Sequence, residues 1–278
     1  MLARDLTAAL ERHGEAVTGL SHRELDVTDS AAVCAVLPRH RPDVVVNCAA
    51  WTAVDDAEHC EDRVLLVNGN GAANLAAACT PTGIRLVQVS TDYVFDGQAR
   101  KPYAEDDPPA PRTAYGRTKL AGERAVLDLM PGRGYVVRTA WLYGEHGPNF
   151  VRTMISLEGQ RSFVDVVDDQ RGQPTWTADV ADRIMALIRA DAAPGIYHAT
   201  SSGETTWYTL AREVFQLLGA DPARVRPTTT AALARPAPRP AYSVLGHTSW
   251  TRVGLTPIGD WQAALRRAFP ALAAAEAA

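Results

Sequence analysis

Along the first half of the chain, stretches with apolar residues at helical spacing alternate with short, almost continuous apolar runs. The helical stretches are residues 2–14, 29–42, 60–79 and 113–129, and the apolar runs are residues 16–20, 43–50, 84–90 and 135–144. We expect Gly14 to end the first helix and Asp29 or Ser30 to cap the second. Buried strands that alternate with helices are typical of a parallel sheet covered on both faces. The pattern predicts a doubly wound, Rossmann-type α/β fold with ligands at the carboxyl ends of its strands.

The pattern becomes less regular after about residue 146. Short strands mix with helices here, the strands at 162–167 and 195–200 and the helices at 177–190, 209–219 and 260–269. A connector rich in Pro, Ala and Arg (234–246) is typical of an extended surface loop, and the Ala-rich tail (271–278) of a frayed end. We expect residues 1–145 to form a dinucleotide-binding domain. Residues 146–278 are expected to form mainly a smaller substrate-binding lid, with some segments returning to the main sheet.

Composition excludes several classes of protein. The 278 residues carry a net charge of −4, which does not suit a surface for nucleic acid or anionic membrane. No apolar run approaches the roughly 18 residues of a membrane span, and charges at Arg4 and Asp5 interrupt any secretory signal. The four cysteines show no metal-ligand spacing. We therefore expect a cytoplasmic protein without a metal site.

The start of the chain departs from the usual form of this fold. A dinucleotide domain ordinarily opens with a strand and a glycine-rich turn that places phosphate at a helix N-terminus. This chain begins inside what reads as that first helix, and the N-G-N-G at 68–71 follows a helical pattern instead. Because "MLARDL" resembles the continuation of such a turn, we expect a truncated or misplaced start, with a real loss of the turn as the alternative.

Tyr115 and Lys119, in "TAYGRTKLAGE", share one face of a predicted helix because they lie four residues apart. A neighbouring ammonium favours a phenolate, so we expect Lys119 to lower the pKa of Tyr115 toward the range of acid–base catalysis. Lysine suits this position because its compact charge can bind a ribose beside the phenol, which the planar fork of arginine cannot do in the same way. By itself the pair is better explained as a surface tyrosine with a solvated lysine. Thr91, just after the buried run 84–90, supplies a hydroxyl that can hold a carbonyl beside Tyr115.

Eight segments carry a resemblance over nearly the whole chain: "NCAAWTAVDDAE" (47–58), "VNGNGAANLA" (67–76), "STDYVFDG" (90–97), "YGRTKLAGE" (115–123), "RTAWLYG" (138–144), "NFVRTM" (149–154), "DDQRGQPT" (168–175) and "GIYHATSSGETTW" (195–207). With these segments the chain resembles the extended short-chain dehydrogenase/reductases, and among them the dTDP-4-dehydrorhamnose reductases. The resemblance implies NAD(P)H-dependent reduction of the 4-keto group of a dTDP-4-keto-6-deoxyhexose. Its pathway would make rhamnose, or a deoxysugar (streptose among them) for an antibiotic.

The resemblance also implies roles for individual residues. Tyr115 is the expected proton donor, Lys119 the ligand of the nicotinamide ribose, and Thr91 the residue that orients the carbonyl. The other expected cofactor contacts are Asp26, Val27, Ala49, Ala50 and Trp51, and the other expected substrate contacts are Thr52, Val54, Asp92, Tyr93 and Trp141. Structural roles remain open for three of these residues: Asp26 as a helix cap, Trp51 as part of a core and Trp141 as filling between domains.

Some polar residues near these positions are expected to have structural rather than catalytic roles. Asn68 is expected to brace the site from within a helix. The acidic residues Asp55, Asp56 and Glu58 are expected to form a solvated face rather than a metal site. Val244 stands in "RPAYSVLG" where family members often carry arginine, which leaves Arg239 as the candidate for holding the sugar nucleotide's diphosphate.

The cofactor and the function class keep alternatives at this stage. No acid follows the second predicted strand to grip a ribose 2′-hydroxyl, so NADPH is expected and NADH remains possible. A same-fold epimerase or dehydratase would need further acid–base residues after Thr91, where this chain has Asp92 and Tyr93. A non-catalytic regulatory subunit would fit the absent glycine turn, but Thr91, Tyr115 and Lys119 argue against it. The expected assembly is a monomer or a homodimer.

Overall fold

The computed structural model of the protein describes residues 1–277. The helices are α1 (Leu2–Arg12), α2 (Ser30–His40), α3 (Val54–Ala57), α4 (Glu61–Leu65), α5 (Gly71–Cys79), α6 (Ala114–Leu129), α7 (Phe150–Gln160), α8 (Thr177–Arg189), α9 (Trp207–Leu217), α10 (Thr248–Arg252) and α11 (Trp261–Ala277). A π-helical turn, Leu66–Asn70, joins α4 to α5, and single 3-10 turns form at Asp92–Val94, Pro222–Arg224 and Thr230–Leu233. The strands are β1 (Val44–Asn47), β2 (Arg85–Thr91), β3 (Gly134–Thr139), β4 (Leu142–Tyr143), β5 (Val164–Val167), β6 (Arg171–Gly172), β7 (Thr175–Trp176), β8 (Gly195–His198), β9 (Thr205–Thr206) and β10 (Val225–Thr228).

The central sheet has four strands in the order β1-β2-β3-β8, and every neighbouring pair is parallel. Helices connect the strands and cover the sheet on both faces, so the expected doubly wound α/β fold is confirmed. The last strand, β8, comes from the second half of the chain and returns to the main sheet beside β3. Parallel strands place their carboxyl ends at one edge of the sheet, where this fold binds ligands.

The two faces of the sheet bury different helices. On one face α1 and α8 pack through Leu2, Leu6 and Ile184 onto Val137 of β3. On the other face, the apolar residues of α2, α5 and α6 meet the sheet at Leu86. Full burial of each such leucine or isoleucine stabilises the fold by about 1.5–3 kcal/mol. The helical period of these residues in the sequence therefore identified the faces that pack.

The ends of the first two helices follow from single residues. Gly14 has φ +75°, and the chain closes α1 with bonds from the N–H of Gly14 to the Glu11 carbonyl and from Glu15 to Leu10, the pattern that glycine permits at a helix end. The Asp29 carboxylate accepts from the N–H groups of Ala31 and Ala32, 3.0 Å each. Both predicted helix signals are confirmed, and Asp29 rather than Ser30 is the cap.

Two expectations about the strands are wrong. Residues 16–20 form no strand, and β1 is half-buried along Val44–Val46 rather than fully buried. The sheet order explains both results, because β1 lies at the edge of the described sheet and residues 16–20 have no strand beside them with which to pair. A segment of strand-like composition forms a strand only when a neighbouring strand supplies hydrogen bonds.

Two expectations about the second half are also wrong. Helix α11 continues to Ala277 instead of fraying, because the Arg152 side chain binds the Glu276 carboxylate at 2.8 Å and the Ala275 carbonyl at 3.1 Å. The connector 234–246 lacks regular structure as expected, but it is not a surface loop throughout. Its Ala237, Ser243, Val244 and Leu245 are each at most 3% exposed.

A second core lies in the part of the chain after β3. It joins α7, α9 and α11 with the small parallel pair β5 and β10, and its centre is formed by Met154, Val166, Phe215 and Leu265. The carboxyl ends of β1, β2 and β3 face a gap between this core and the central sheet. A cavity occupies that gap.

Candidate active site

The cavity has a volume of about 790 Å³ and draws its walls from both halves of the chain. Its size is within the range of small-molecule and cofactor sites. The wall residues that matter for chemistry are Met1, Leu2, Cys48, Ala50, Thr52, Val54, Thr91, Asp92, Tyr93, Tyr115, Lys119, Trp141, Trp207, Arg235 and Arg239. The structure thus brings together Thr91, Tyr115 and Lys119, which are separated by up to 28 residues in the sequence.

Tyr115 stands in the first turn of α6, and two polar contacts fix that turn. The Thr113 hydroxyl oxygen accepts from the N–H of Gly116 at 3.0 Å, which caps the helix. The N–H of Ala114 donates to the Glu58 carboxylate at 2.8 Å, an arrangement that suits the positive end of a helix. Because both contacts hold the start of α6, the phenol ring enters the cavity from a rigid element.

Thr91 is the last residue of β2, and its hydroxyl organises the turn that follows. Its oxygen accepts from the N–H of Tyr93 at 3.2 Å, and its hydrogen is donated to the Asp92 carboxylate at 2.9 Å. Gly116 lets α6 approach this turn, because a Cβ atom there would clash with the Tyr93 carbonyl oxygen. The approach sets the Tyr93 and Tyr115 rings edge to face, with centroids 5.6 Å apart.

Lys119 is 3% exposed and lies at the floor of the cavity. Its Nζ donates to the carbonyl oxygen of Val89 at 2.5 Å. An ammonium has three donors, and within residues 1–277 the other two have no acceptor. Burial lowers the pKa of Lys119 to about 8, against the opposing charges of Glu123 and Cys48. Lys119 is therefore a compact cation with unused donors. A guanidinium could not occupy the same space without moving its surroundings.

Lys119 does not tune Tyr115 in the expected direction. Burial raises the pKa of Tyr115 to about 12, the Thr91 hydroxyl acts to lower it, and the charge of Asp92 acts to raise it further. Burial dominates this balance, and the Lys119 ammonium does not reverse it. The expectation of a lowered tyrosine pKa is therefore wrong for the protein alone, because enclosure by apolar groups outweighs the helical neighbour.

The cavity fits a dinucleotide at two points. The N-terminal turn of α1 lies on the wall at Met1, Leu2 and Ala3, and the first N–H groups of a helix have no intrahelical partner. Such a terminus favours a phosphate. At the other point, the unused donors of Lys119 suit the hydroxyls of a ribose.

Not all the expected cofactor contacts reach the cavity. Ala50 lines it, whereas Ala49 and Trp51 stand beside the lining residues. Asp26 closes a local turn through bonds to the N–H and hydroxyl of Thr28, at 2.9 and 2.8 Å. Val27 is buried against Gly71. The structure thus places Asp26 and Val27 outside the lining.

Asn68 holds the loop that carries these residues. Its Oδ1 accepts from the N–H of Trp51 at 2.8 Å, and its Nδ2 donates to the Trp51 carbonyl and to Thr118 Oγ1, 3.2 Å each. Asn68 stands in the π-helical turn, where the widened backbone turns its side chain to face both α6 and the loop. The loop after β1 is thereby fixed to the helix of Tyr115 and Lys119.

The expected substrate contacts Thr52, Val54, Asp92, Tyr93 and Trp141 all line the cavity. Asp92 is 3% exposed, and in the described part of the chain its Oδ2 has no hydrogen-bond partner. Burial raises the pKa of Asp92 to about 6 despite the opposing hydroxyls of Ser243 and Thr91. A buried carboxylate oxygen without a partner is a natural acceptor for a ligand hydroxyl.

Trp141 forms an aromatic wall with a residue that sequence reasoning did not single out. Its ring stacks on Trp207 with centroids 3.6 Å apart, and Trp207 Nε1 donates to Gln170 at 3.1 Å. The backbone of Trp141 has φ +46°, which is unusual outside glycine, and Gly172 leaves room for its ring. Trp207 ends the quoted segment "GIYHATSSGETTW", which was the only sequence signal for it.

The acidic residues near α3 are only partly a solvated face. Asp56 is exposed, but Asp55 accepts from Arg239 at 2.7 Å and from Arg235 at 3.3 Å. Partial burial acts to raise the pKa of Asp55, and its bonds to Arg239, Ala237 and Arg235 outweigh this and lower it. No cluster of three His, Cys, Asp or Glu side chains suited to a metal occurs within the described 277 residues. The carboxylate therefore serves to hold two arginines at the cavity.

Comparison with known proteins gives consistent results. Residues 1–274 match the family model described as the RmlD substrate binding domain. A dTDP-4-dehydrorhamnose reductase of Streptomyces griseus is 59% identical over 98% of this chain and 91% of its own length. A dTDP-4-keto-6-deoxy-D-glucose reductase of Streptomyces niveus is 57% identical over 99% of this chain and 96% of its own. The crystal structure of a dTDP-4-dehydrorhamnose reductase of Bacillus anthracis in complex with NADP superposes with a TM-score of 0.93 at 36% identity, over 97% of this chain and 95% of that one.

Proposed function

Because this chain belongs to the dTDP-4-dehydrorhamnose reductase family, whose RmlD model covers residues 1–274, we propose that it reduces the 4-keto group of a dTDP-4-keto-6-deoxyhexose with NADPH. The observation that carries the proposal is the convergence of Thr91, Tyr115 and Lys119 on one cavity that the N-terminal turn of α1 also lines. The chain is thus an oxidoreductase of the short-chain dehydrogenase/reductase type. NADH is the alternative cofactor.

Two surfaces are proposed for the cofactor. The N-terminal turn of α1 receives the diphosphate, and the free donors of Lys119 receive the nicotinamide ribose. Ala50 lines the same cavity, and Ala49, Trp51, Asp26 and Val27 remain proposed contacts toward the adenine end. When bound, NADPH supplies the hydride for the carbonyl carbon.

Tyr115 is proposed as the acid that gives its hydroxyl proton to the ketone oxygen as that oxygen becomes an alcohol. A raised pKa keeps the phenol protonated at neutral pH, which is the form that reduction needs. Thr91 orients the carbonyl beside the phenol. Lys119 completes the site from the cavity floor, where its charge favours the negative charge that develops on Tyr115 during proton transfer.

The opposite wall is proposed to hold the sugar nucleotide. Trp141 and Trp207 offer an aromatic wall for the base or the sugar, and Thr52, Val54 and Tyr93 complete this side. The unpartnered Oδ2 of Asp92 accepts a sugar hydroxyl. Arg239, with Arg235 beside it, meets the diphosphate. Residues 1–145 would then hold mainly the cofactor and residues 146–278 mainly the substrate.

The proposed cellular location and assembly state follow from these proposals. We propose that the enzyme works in the cytoplasm as a monomer or homodimer, because its substrate and cofactor are cytoplasmic metabolites. No helix of the described residues is long and apolar enough to cross a membrane. Deoxysugar synthesis for an antibiotic fits the Streptomyces relatives, and envelope rhamnose is the alternative.

The test is to incubate the protein with NADPH or NADH and dTDP-4-keto-6-deoxyglucose, with and without a 3,5-epimerase. We expect loss of reduced-cofactor absorbance and formation of a 4-hydroxy product, faster with NADPH. Absence of oxidation in all four combinations would refute the reductase proposal. Conversion of the substrate without net cofactor oxidation would favour an epimerase or dehydratase instead.

A further inference from the structure

Asp55 lies on α3, outside the cavity lining, and its carboxylate binds three groups of the connector 234–246. Its Oδ2 accepts from Arg239 Nη2 at 2.7 Å and from Arg235 Nη1 at 3.3 Å. Its Oδ1 accepts from the N–H of Ala237 at 3.2 Å. Both arginines line the cavity. A carboxylate that does not line the cavity therefore fixes two cations that do.

Arg239 keeps free donors while Asp55 holds it. A guanidinium has five N–H donors. Asp55 takes one of those on Nη2, and the Ala237 carbonyl takes one of those on Nη1 at 2.9 Å. Within residues 1–277 the other three donors have no acceptor, although the side chain is only 13% exposed. An enclosed guanidinium with three uncommitted donors suits phosphate oxygens.

The backbone beside Arg239 has a fixed contact of its own, which does not involve the guanidinium. The N–H of Tyr242 donates to the Gly97 carbonyl at 3.0 Å. Gly97, with φ +73°, also lets Pro240 approach, because an added Cβ would clash with the proline ring. In the described part of the chain, Asp55 is the only acid paired with the Arg239 side chain. The orientation of the guanidinium therefore depends on Asp55.

Asp55 stands on a part of the chain that is itself held in place. The loop that leads to α3 is fixed by Asn68, which binds both the N–H and the carbonyl of Trp51. The same Asn68 side chain donates to Thr118 of α6 at 3.2 Å. The carboxylate thus has a defined position from which it can orient a partner.

We infer that Asp55 is a positioning residue: it orients Arg239 so that the free donors of the guanidinium meet the diphosphate of the sugar nucleotide. Asp55 does not line the cavity and acts through Arg239. The inference rests on the proposed function, because the sugar nucleotide is the ligand that brings a diphosphate to this wall.

Simple electrostatics predicts the opposite effect for Asp55. Loss of a negative charge beside two arginines should strengthen the binding of an anion. Loss of a positioning residue should weaken it, because the freed Arg239 side chain samples many rotamers and must be ordered again when the nucleotide binds. The direction of the change in affinity therefore separates the two roles.

The probe for the experiment is dTDP, and its dissociation constant is measured by calorimetry in the wild type and in Asp55→Asn. We expect the variant to bind dTDP about 10-fold more weakly or worse, as for the loss of a hydrogen bond to a charged group. The KM of the keto sugar should rise by a similar factor with little change in kcat. Equal or tighter binding of dTDP by Asp55→Asn, with the variant folded by circular dichroism, would overturn the inference.

Asp56→Asn is the matched control. Asp56 is the next residue, is exposed, and within residues 1–277 its carboxylate has no hydrogen-bond or ion-pair partner, so the variant loses the same charge without releasing an arginine. It should bind dTDP as the wild type does. An equal loss of affinity in both variants would show an effect of charge alone and would overturn the inference.

A double-mutant cycle tests whether Asp55 acts through Arg239. In an Arg239→Gln background no guanidinium is left to orient, so the further change Asp55→Asn should lose most of its effect on dTDP affinity. If the two losses add in full, Asp55 acts by another route and the inference fails.

Hydrogen exchange gives a readout that needs no nucleotide. Residues 235–241 include three prolines, which have no amide hydrogen, and among the remaining amides of this segment only that of Ala237 has an acceptor in the described structure, namely Asp55. Mass spectrometry of a peptide covering 235–241 should show faster exchange in Asp55→Asn than in the wild type or Asp56→Asn. Unchanged exchange would contradict a positioning role.

Failure of this inference can be told from failure of the proposed function. If the wild type binds no dTDP and oxidises no reduced cofactor, the proposed function fails and the inference fails with it. If the wild type turns over its substrate and Asp55→Asn keeps the wild-type affinity for dTDP, the inference fails alone.

Discussion

The Trp141 ring lies flat on the Trp207 ring, with centroids 3.6 Å apart and planes inclined by 9°. The two residues come from different elements, since Trp141 follows β3 and Trp207 begins α9. Gly172 also approaches the Trp141 ring closely, and Trp141, with its left-handed backbone, lines the cavity together with Trp207. It joins the strand that ends at the reaction centre to the helix that carries the second core.

Trp207→Leu should weaken binding of the sugar nucleotide more than it slows turnover. Loss of an aromatic pair costs about 1–1.5 kcal/mol beyond the area buried, which corresponds to a rise in KM of about 5- to 12-fold. Steady-state kinetics with varied substrate would measure it. Trp207→Phe, which keeps a ring on Trp141, should lie near the wild type. An unchanged KM in the leucine variant would contradict a role for the stack in binding.

Tyr115→Phe should lose about 10²- to 10⁴-fold in turnover, because the variant has no proton to give to the ketone oxygen. Substrate binding, measured by calorimetry, should remain. Tyr208→Phe is a suitable control, since Tyr208 lies on α9 away from the cavity lining. Near-normal turnover in Tyr115→Phe would remove Tyr115 as the acid.

Lys119→Arg should cause a large loss of activity even though the charge is kept. The Nζ of Lys119 sits in an enclosed space at 2.5 Å from the Val89 carbonyl, and a guanidinium is longer and planar. The chain offers an ideal control, because its other lysine, Lys101, is exposed and Lys101→Arg should be harmless. Equal activity of the two variants would contradict the proposed role of Lys119 in the site.

Gly116→Ala should both destabilise the protein and damage the site. The new Cβ would meet the carbonyl oxygen of Tyr93, so the turn after Thr91 has to move. We expect a loss of about 1–3 kcal/mol in unfolding free energy, measured in urea. Gly159→Ala is the matched change, since Gly159 lies in α7 with no neighbour within 4 Å of an added Cβ, and it should stabilise the protein by about 0.5–1 kcal/mol. A stable, active Gly116→Ala would contradict the close contact.

Acid should destabilise the protein through His198. The ring is fully buried, its Nδ1 donates to the Gly246 carbonyl at 3.0 Å, and its Nε2 faces Arg138 at 3.4 Å. Burial and the Arg138 charge lower the pKa of His198 from 6.5 to about 3. Below about pH 6.5 the unfolded chain therefore binds a proton at His198 that the folded chain does not bind. The free energy of unfolding falls for this reason as the pH drops toward 3.

The measurement for His198 is the free energy of unfolding in urea at about pH 7 and about pH 5. His198→Asn should lose up to about 1.4 kcal/mol per pH unit of this acid dependence, whatever its stability at neutral pH. His13→Gln, which changes an exposed histidine, should keep the wild-type slope. An unaltered slope in His198→Asn would contradict a neutral, buried imidazole.

The reacting residues could be predicted because their signals are local. Tyr115 and Lys119 share a helix face by spacing, and Thr91 ends an apolar run that had to be a strand. Helix caps such as Asp29 are local for the same reason. The family segments then indicated that the Tyr115–Lys119 pair belongs to a ketoreductase.

What could not be predicted depends on tertiary neighbours. The strand at 16–20 failed because pairing, not composition, makes a strand. The pKa of Tyr115 was misjudged because enclosure by the fold outweighs a helical neighbour. Trp207 and the arginines at Asp55 lie far along the chain from the residues they meet, and no spacing relates them. The cavity wall opposite the reaction centre was therefore the part of the site that could be predicted least well from the sequence.

The pairing of Asp55 with Arg235 and Arg239 leaves one positive charge uncompensated at the mouth of the cavity. The protein as a whole carries −4, so an approaching sugar nucleotide is repelled at long range and attracted only near the arginines. Added salt screens the long-range repulsion first and weakens the local attraction less, because partly enclosed charges are screened less. The rate at which the enzyme captures its substrate should therefore rise with moderate ionic strength, opposite to enzymes whose overall charge steers the substrate inward.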